Sequence, residues 1–154
     1  MSLLIQTPPP RGCLLGATHK NMRLLNTKDP NDAIKLWPWY LETETENRND
    51  IMSELYGRLK ERPDDTFVLV AIERNITRCV VIAYMSSKRV AWLWQSQAQP
   101  GFRHSRLMMD ALKSWARAKG AKKIGIGVAD ERKRAFIRRW GFKELRNGEL
   151  RCKI

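Results

Sequence analysis

The sequence predicts an α/β protein of the mixed-sheet (α+β) kind, with the element order β-α-α-β-β-β-α-β-α-β-β. Three observations carry this. Three apolar, β-rich runs follow one another with only short polar links between them. The hydrophobic period then changes to that of a helix. A strand, a helix and two further strands close the chain. Strands joined by short links pair antiparallel, and a strand–helix–strand unit calls for a parallel crossover, so the sheet is mixed and carries helices on its faces.

The elements follow in order. Residues 1–20 read as an extended arm, since Pro8-Pro9-Pro10 favours polyproline II and Gly12 and Gly16 add no regular pattern. The domain proper is then 21–154. Asn21–Asn26 reads as a first strand. Asn31 or Asp32 can cap a helix from Ala33 to Trp37, which Pro38 kinks or restarts. Ile51, Met52, Leu55, Tyr56 and Leu59 recur at helical spacing and predict a helix over Asn49–Glu61. Thr66–Ile72, Arg78–Met85 and Val90–Gln95 are the three strands, linked as antiparallel hairpins. Leu107, Met108, Ala111, Leu112, Trp115 and Ala116 form one helical stripe that Gly120 stops. Lys123–Val128 predicts a strand running parallel to Val90–Gln95. Asp130 can cap a helix over Glu131–Trp140, ended by Gly141. Phe142–Arg146 and Glu149–Ile154 flank Asn147-Gly148, a strong two-residue hairpin signal.

Composition excludes several classes. The 154 residues suit one domain with a core of its own. No apolar run approaches the roughly 20 residues of a membrane span, and Met1–Pro10 lacks the pattern of a secretory signal. Cys13, Cys79 and Cys152 form no CxxC pair and lie far in sequence from His19 and His104, so no metal site is expected and the thiols read as reduced, in a cytoplasmic compartment. The net charge of +13 is uneven. Residues 1–102 carry 13 Lys/Arg against 11 Asp/Glu, whereas residues 103–154 carry 16 against 5. Such a field attracts polyanions or serves as a solvated surface. Arg132, Lys133, Arg134, Arg138 and Arg139 load the last helix, with 134 and 138 on one face and 132 and 139 on another. No zinc-finger, helix-turn-helix or RNA-recognition signature accompanies them.

The stretch Trp115-Ala116-Arg117-Ala118-Lys119-Gly120-Ala121-Lys122-Lys123-Ile124-Gly125-Ile126-Gly127-Val128, followed by Arg138-Arg139-Trp140-Gly141-Phe142-Lys143-Glu144, resembles the Gcn5-related N-acetyltransferase (GNAT) superfamily. Members often show a helix ending in WAxxxGAKKI, a strand, a short helix and a GFxE strand start. The resemblance covers about Asn21–Ile154. It implies acetyl-CoA as cofactor and an amine as acceptor. It also implies that the turn between the third apolar strand and the next helix binds the cofactor's pyrophosphate through backbone N–H groups. That turn is Gln97-Ala98-Gln99-Pro100-Gly101-Phe102-Arg103-His104-Ser105-Arg106. Aligned from Gly120, it puts Gly101 on a family glycine but Arg103 and Ser105 at the positions of closest approach. Aligned from Pro100, Phe102 and Arg103, it puts His104 and Arg106 there. Neither alignment restores R/Q-x-x-G-x-G/A. Ser105 can cap the helix, and Arg103 and Arg106 can meet phosphates with their side chains. The implied cofactor-binding residues are therefore Gln95, Gln97, Gly101, Phe102, Arg103, His104, Ser105 and Arg106, with Asp130 where the family often has Asn.

Catalytic groups implied by the resemblance are thin. The family's frequent general acid, a Tyr four residues before the Gly of GF, is Ile137 here. The strand that often carries a Glu base ends Trp94-Gln95-Ser96-Gln97. Glu73, Tyr84 and His104 are the remaining candidates. Trp37, Trp39 and Tyr40 read either as an acceptor wall or as core. Three functions follow: an acetyl-CoA-dependent N-acetyltransferase; a non-catalytic GNAT-fold structural or binding protein; and a polyanion binder using the basic last third, for an acidic protein or non-specific nucleic acid. The second loosely resembles acetyltransferase-like internal virion proteins of short-tailed phages, which would place the chain in a virion and give the arm an assembly partner.

Overall fold

The computed structural model describes residues 21–35, 45–128 and 130–154. The arm 1–20, the kink at Pro38 and the aromatic trio Trp37, Trp39 and Tyr40 lie outside these. The elements are β1 (Met22–Asn26), α1 (Pro30–Lys35), α2 (Thr45–Glu61), a 3-10 turn (Pro63–Asp65), β2 (Thr66–Glu73), β3 (Ile76–Met85), β4 (Val90–Ala98), α3 (Ser105–Ala118), β5 (Lys123–Ile126), α4 (Asp130–Trp140), β6 (Lys143–Glu144) and β7 (Leu150–Lys153). They build one sheet in the order β1-β2-β3-β4-β5-β7-β6. Only β4 and β5 run parallel, in register from Val90↔Lys123 to Leu93↔Ile126, as the crossover through α3 requires.

β2 shows why its sequence is apolar without alternation. Phe67, Leu69 and Ala71 enter the cluster beneath α3 and α4, while Val68, Val70 and Ile72 enter the one beneath α1 and α2. A strand covered on both faces needs apolar residues at every position. Leu112 of α3, Phe142 and Leu150 are almost fully buried on the first face, and Leu55 and Leu59 of α2 on the second.

Four details depart from the sequence expectations. The β2–β3 hairpin turns on Arg74-Asn75, both left-handed (φ 51° and 65°), with Glu73 opposite Ile76. That is the primed two-residue turn. Asn147-Gly148 instead belongs to a three-residue loop. Gly148 donates to the Leu145 carbonyl, Leu145 N–H donates to Glu149, and only Gly148 is left-handed (φ 88°). The first strand of that hairpin, Lys143–Glu144, is only two residues long. Ser105 is the first residue of α3 rather than its cap. His104 holds the cap position and makes no side-chain cap bond. Finally, β4 runs past Gln95 to Ala98, whereas β5 stops at Ile126, two residues before Val128.

The last difference positions the site. Ile82 faces Gln95 and Ala83 faces Leu93, so Trp94 is an extra residue in β4. A bulge bends its strand and raises the local twist. It follows immediately on Leu93↔Ile126, the last β4–β5 pair. Beyond it β4 stays paired to β3 through Ala98 and no longer pairs with β5.

Candidate active site

The parting of β4 from β5 opens a cleft of about 520 Å³ on the sheet face that carries α3 and α4. Its floor is apolar. Val81 and Leu93 come from the sheet, Met108 and Leu112 from α3, and Phe136 from α4. Ser96, Gln97 and Ser105 line it on the polar side, with Arg132 and Arg139 from α4. Phe136 sets this geometry. Its ring meets Phe142 edge-on at 5.6 Å and anchors α4 to the core. Arg132 and Arg139, one turn before it and one after, are thereby directed at the cleft.

Arg132 crosses the opening. Its Nη2 donates to the Ser96 carbonyl at 3.3 Å, on the part of β4 that has left β5. Arg139 lies 4.8 Å over the ring of Trp140, and Arg106 from the first turn of α3 lies 5.8 Å over the same ring. The first helical bond of α3 runs from Met108 N–H to the His104 carbonyl. The N–H groups of the turn before it have no partner within the helix, and they add partial positive charge at the same end. Cys79 lines the cleft as well, and burial pushes its thiol up to about 12, so it is neutral at ordinary pH.

The residues singled out in the sequence divide among several places. Gln97 and Ser105 line the cleft. Gln95 sits opposite Ile82 beside the bulge and is not part of the lining. Phe102 packs against the core and meets the His104 ring at 5.8 Å. Arg106 flanks the cleft through Trp140. Asp130 is exposed at the start of α4, 3.1 Å from Lys133 Nζ, which also binds Glu144 at 2.8 Å. Gly101, Arg103, His104 and Glu73 line a second pocket, of about 400 Å³, between the β2–β3 turn and the β4–α3 loop. Tyr84 belongs to the opposite sheet face. The Arg58 guanidinium of α2 stacks on it at 3.7 Å and Trp94 meets it edge-on at 5.9 Å. Burial is the main cause raising its phenol above the usual range. Ile137 is 40% exposed on α4 and does not line the cleft.

Ser96, Met108 and Cys79 were not legible as cleft residues, because small and apolar residues in a strand or helix read as core. The seven-residue spacing of Arg132 and Arg139 did place them on one helix face. Among the described residues no His/Cys/Asp/Glu group has metal-binding geometry, and no helix is long and apolar enough to cross a membrane.

No protein-family model and no curated protein matches the sequence. Solved structures do. An acetyltransferase from Streptococcus agalactiae superposes with a TM-score of 0.66 at 13% identity, over 86% of this chain and 97% of that one. A GNAT-family acetyltransferase from Streptococcus pneumoniae gives 0.58 at 15% identity, over 86% and 100%. The PaiA N-acetyltransferase of Thermoplasma acidophilum, solved with coenzyme A, gives 0.51 at 14% identity, over 85% and 99%. The chain therefore has the GNAT acetyltransferase fold.

Proposed function

We propose that this chain is an N-acetyltransferase that holds acetyl-CoA in the cleft between β4, α3 and α4. The observation that carries this reading is the free stretch of β4 beyond Leu93, lying over an apolar floor and beneath two arginines. An extended chain bearing amides can pair with that strand edge, its apolar segments can cover Val81, Leu93 and Met108, and its phosphates can meet Arg132 and Arg139. Arg132 already satisfies the Ser96 carbonyl and moves to the phosphate when the ligand takes that bond. Arginine side chains thus do the work that close glycine contacts would do in a loop of smaller residues.

Bound there, acetyl-CoA supplies the acyl group: the amine nitrogen bonds to the acyl carbon, the C–S bond breaks, and the amine's proton leaves with the thiolate. Glu131 of α4 is the carboxylate on the cleft lining, and the other side chains there contribute position rather than proton transfer. Cys79 stays protonated at neutral pH, and the arginines cannot act as bases. Catalysis by proximity then requires an amine that arrives neutral. The test is direct. Acetyl-CoA must bind, as calorimetry reads, and must release its thiol when a primary amine is added. A chain that binds and never turns over would be a GNAT-fold binding protein.

A further inference from the structure

We propose that the outer face of α4, together with the β6–β7 loop, is a docking surface for an acidic peptide segment that carries an aliphatic side chain among its carboxylates. Phe136 is buried and turns one side of α4 to the core. At about 100° per residue, Arg134 and Arg138 lie on the opposite side of the helix. Ile137 follows Lys133 by four residues and so lies on the flank toward β6. All three are exposed, Ile137 by 40%. Lys133 joins this flank to the end of the sheet, since its Nζ binds Glu144 of β6 at 2.8 Å and Asp130 at 3.1 Å. The same Nζ lies 3.2 Å from where a Cβ on Gly148 would stand, so the β6–β7 loop is seated against α4. That loop carries Leu145, 42% exposed, and Arg146, also exposed.

Charge decides the occupant. The acids of this region are engaged or face elsewhere: Asp130 and Glu144 are held by Lys133, Glu149 by Arg151, and Glu131 lines the cleft. Arg134, Arg138 and Arg146 form no ion pair among the described residues. Three unneutralised guanidinium groups thus accompany Ile137 and Leu145, which are two of the three large apolar side chains that stand exposed among the described residues. Carboxylates pair with guanidinium groups through paired hydrogen bonds, and an aliphatic residue between them covers Ile137 and Leu145. A nucleic-acid backbone brings the charge but no aliphatic group, and unpaired bases call for a free aromatic face. The ring of Trp140 lies on the cleft side, with Arg106 and Arg139 over it. An anionic bilayer takes up a helix by a broad apolar face, and that of α4 is turned to the core. A second copy of this chain brings its own net charge of +13 and is repelled.

The experiment is fluorescence anisotropy of the full chain with a short labelled peptide of glutamates that has two leucines at its centre. Saturable binding is expected. Arg134→Gln and Arg138→Gln should each weaken it by up to about fivefold, the upper range for an exposed ion pair. Ile137→Ser should weaken it by about fivefold through lost apolar contact. These side chains are exposed, so the three variants leave the core intact. Arg139→Ala, in the cleft, should leave the peptide's affinity unchanged. A peptide with serines in place of the leucines should bind more weakly and should not respond to Ile137→Ser, which separates recognition of an acidic segment with an apolar centre from attraction by charge alone. A labelled DNA duplex of equal charge should bind more weakly than the leucine peptide and should also be indifferent to Ile137→Ser. The proposal is overturned by anisotropy that does not saturate, by an Ile137→Ser variant that binds the leucine peptide as the wild type does, or by loss of binding in Arg139→Ala instead. Tighter binding of the duplex, lost in the Arg134→Gln and Arg138→Gln variants, would overturn it in favour of nucleic acid.

Discussion

Arg103, Arg106, Arg132 and Arg139 are four exposed cations on the β4–α3 loop, α3 and α4, and the fold sends them to different tasks. Arg132 and Arg139 line the cleft, Arg106 flanks it over Trp140, and Arg103 lines the other pocket. Arg139→Ala should therefore weaken acetyl-CoA binding by about 1.5–3 kcal/mol, the range for a bond to a charged group. Arg103→Ala should leave it unchanged. Calorimetry on both variants reads the difference, and equal losses would show that the loop arginine shares the cofactor. Cys79 makes a prediction of opposite character. Burial pushes its thiol up to about 12 in the fold, from an ordinary value of 9.0. Between those values the unfolded chain binds fewer protons than the folded one, so stability is full below pH 9 and falls as pH rises. The slope approaches about 1.4 kcal/mol per pH unit. Tyr84, raised chiefly by burial, acts in the same direction at higher pH. Urea midpoints at pH 8 and pH 10.5 should differ, and Cys79→Ala should reduce the difference. A flat profile would contradict the burial of this thiol.

At the scale of elements, the β2–β3 turn is the place where local preference and observed conformation conflict. Arg74 and Asn75 are both left-handed, at roughly 1–2 kcal/mol for an ordinary L-residue. Arg74→Asn with Asn75→Gly gives the turn its preferred residues and should stabilise the chain by about 1 kcal/mol, or roughly 2–4 °C in Tm. A lower Tm would show that Arg74 packs for stability instead. This turn also marks what could be read beforehand. The apolar run of β2, the stripe of α3 and the parallel β4–β5 pair were legible, because burial on two faces, a helical period and a strand–helix–strand order each leave a direct trace. The bulge at Trp94 left none, since VAWLWQ reads as a plain strand whichever residue lacks a partner. Asn147-Gly148 pointed to a hairpin correctly, but Gly alone takes the left-handed position, so the loop has three residues.

Across the whole molecule, several cations of the basic last third are engaged by neighbours or line the cleft. Lys133 is held by Asp130 and Glu144, and Arg151 by Glu149. Arg132 and Arg139 turn inward to the cleft. What sequence order gathers, the fold distributes. The cleft shows the same limit, because its residues come from β3, β4, α3 and α4, and only the separation of β4 from β5 brings them to one opening. The fold was legible at the level of order and pairing, whereas the site depends on where a pairing stops. The central claim is that this opening takes acetyl-CoA although its loop lacks the closely spaced glycines. Calorimetry of the wild-type chain with acetyl-CoA tests it most directly. One saturable site with a dissociation constant on the order of micromolar, about −8 kcal/mol, is the predicted result. No heat of binding with the ligand at millimolar concentration would contradict it.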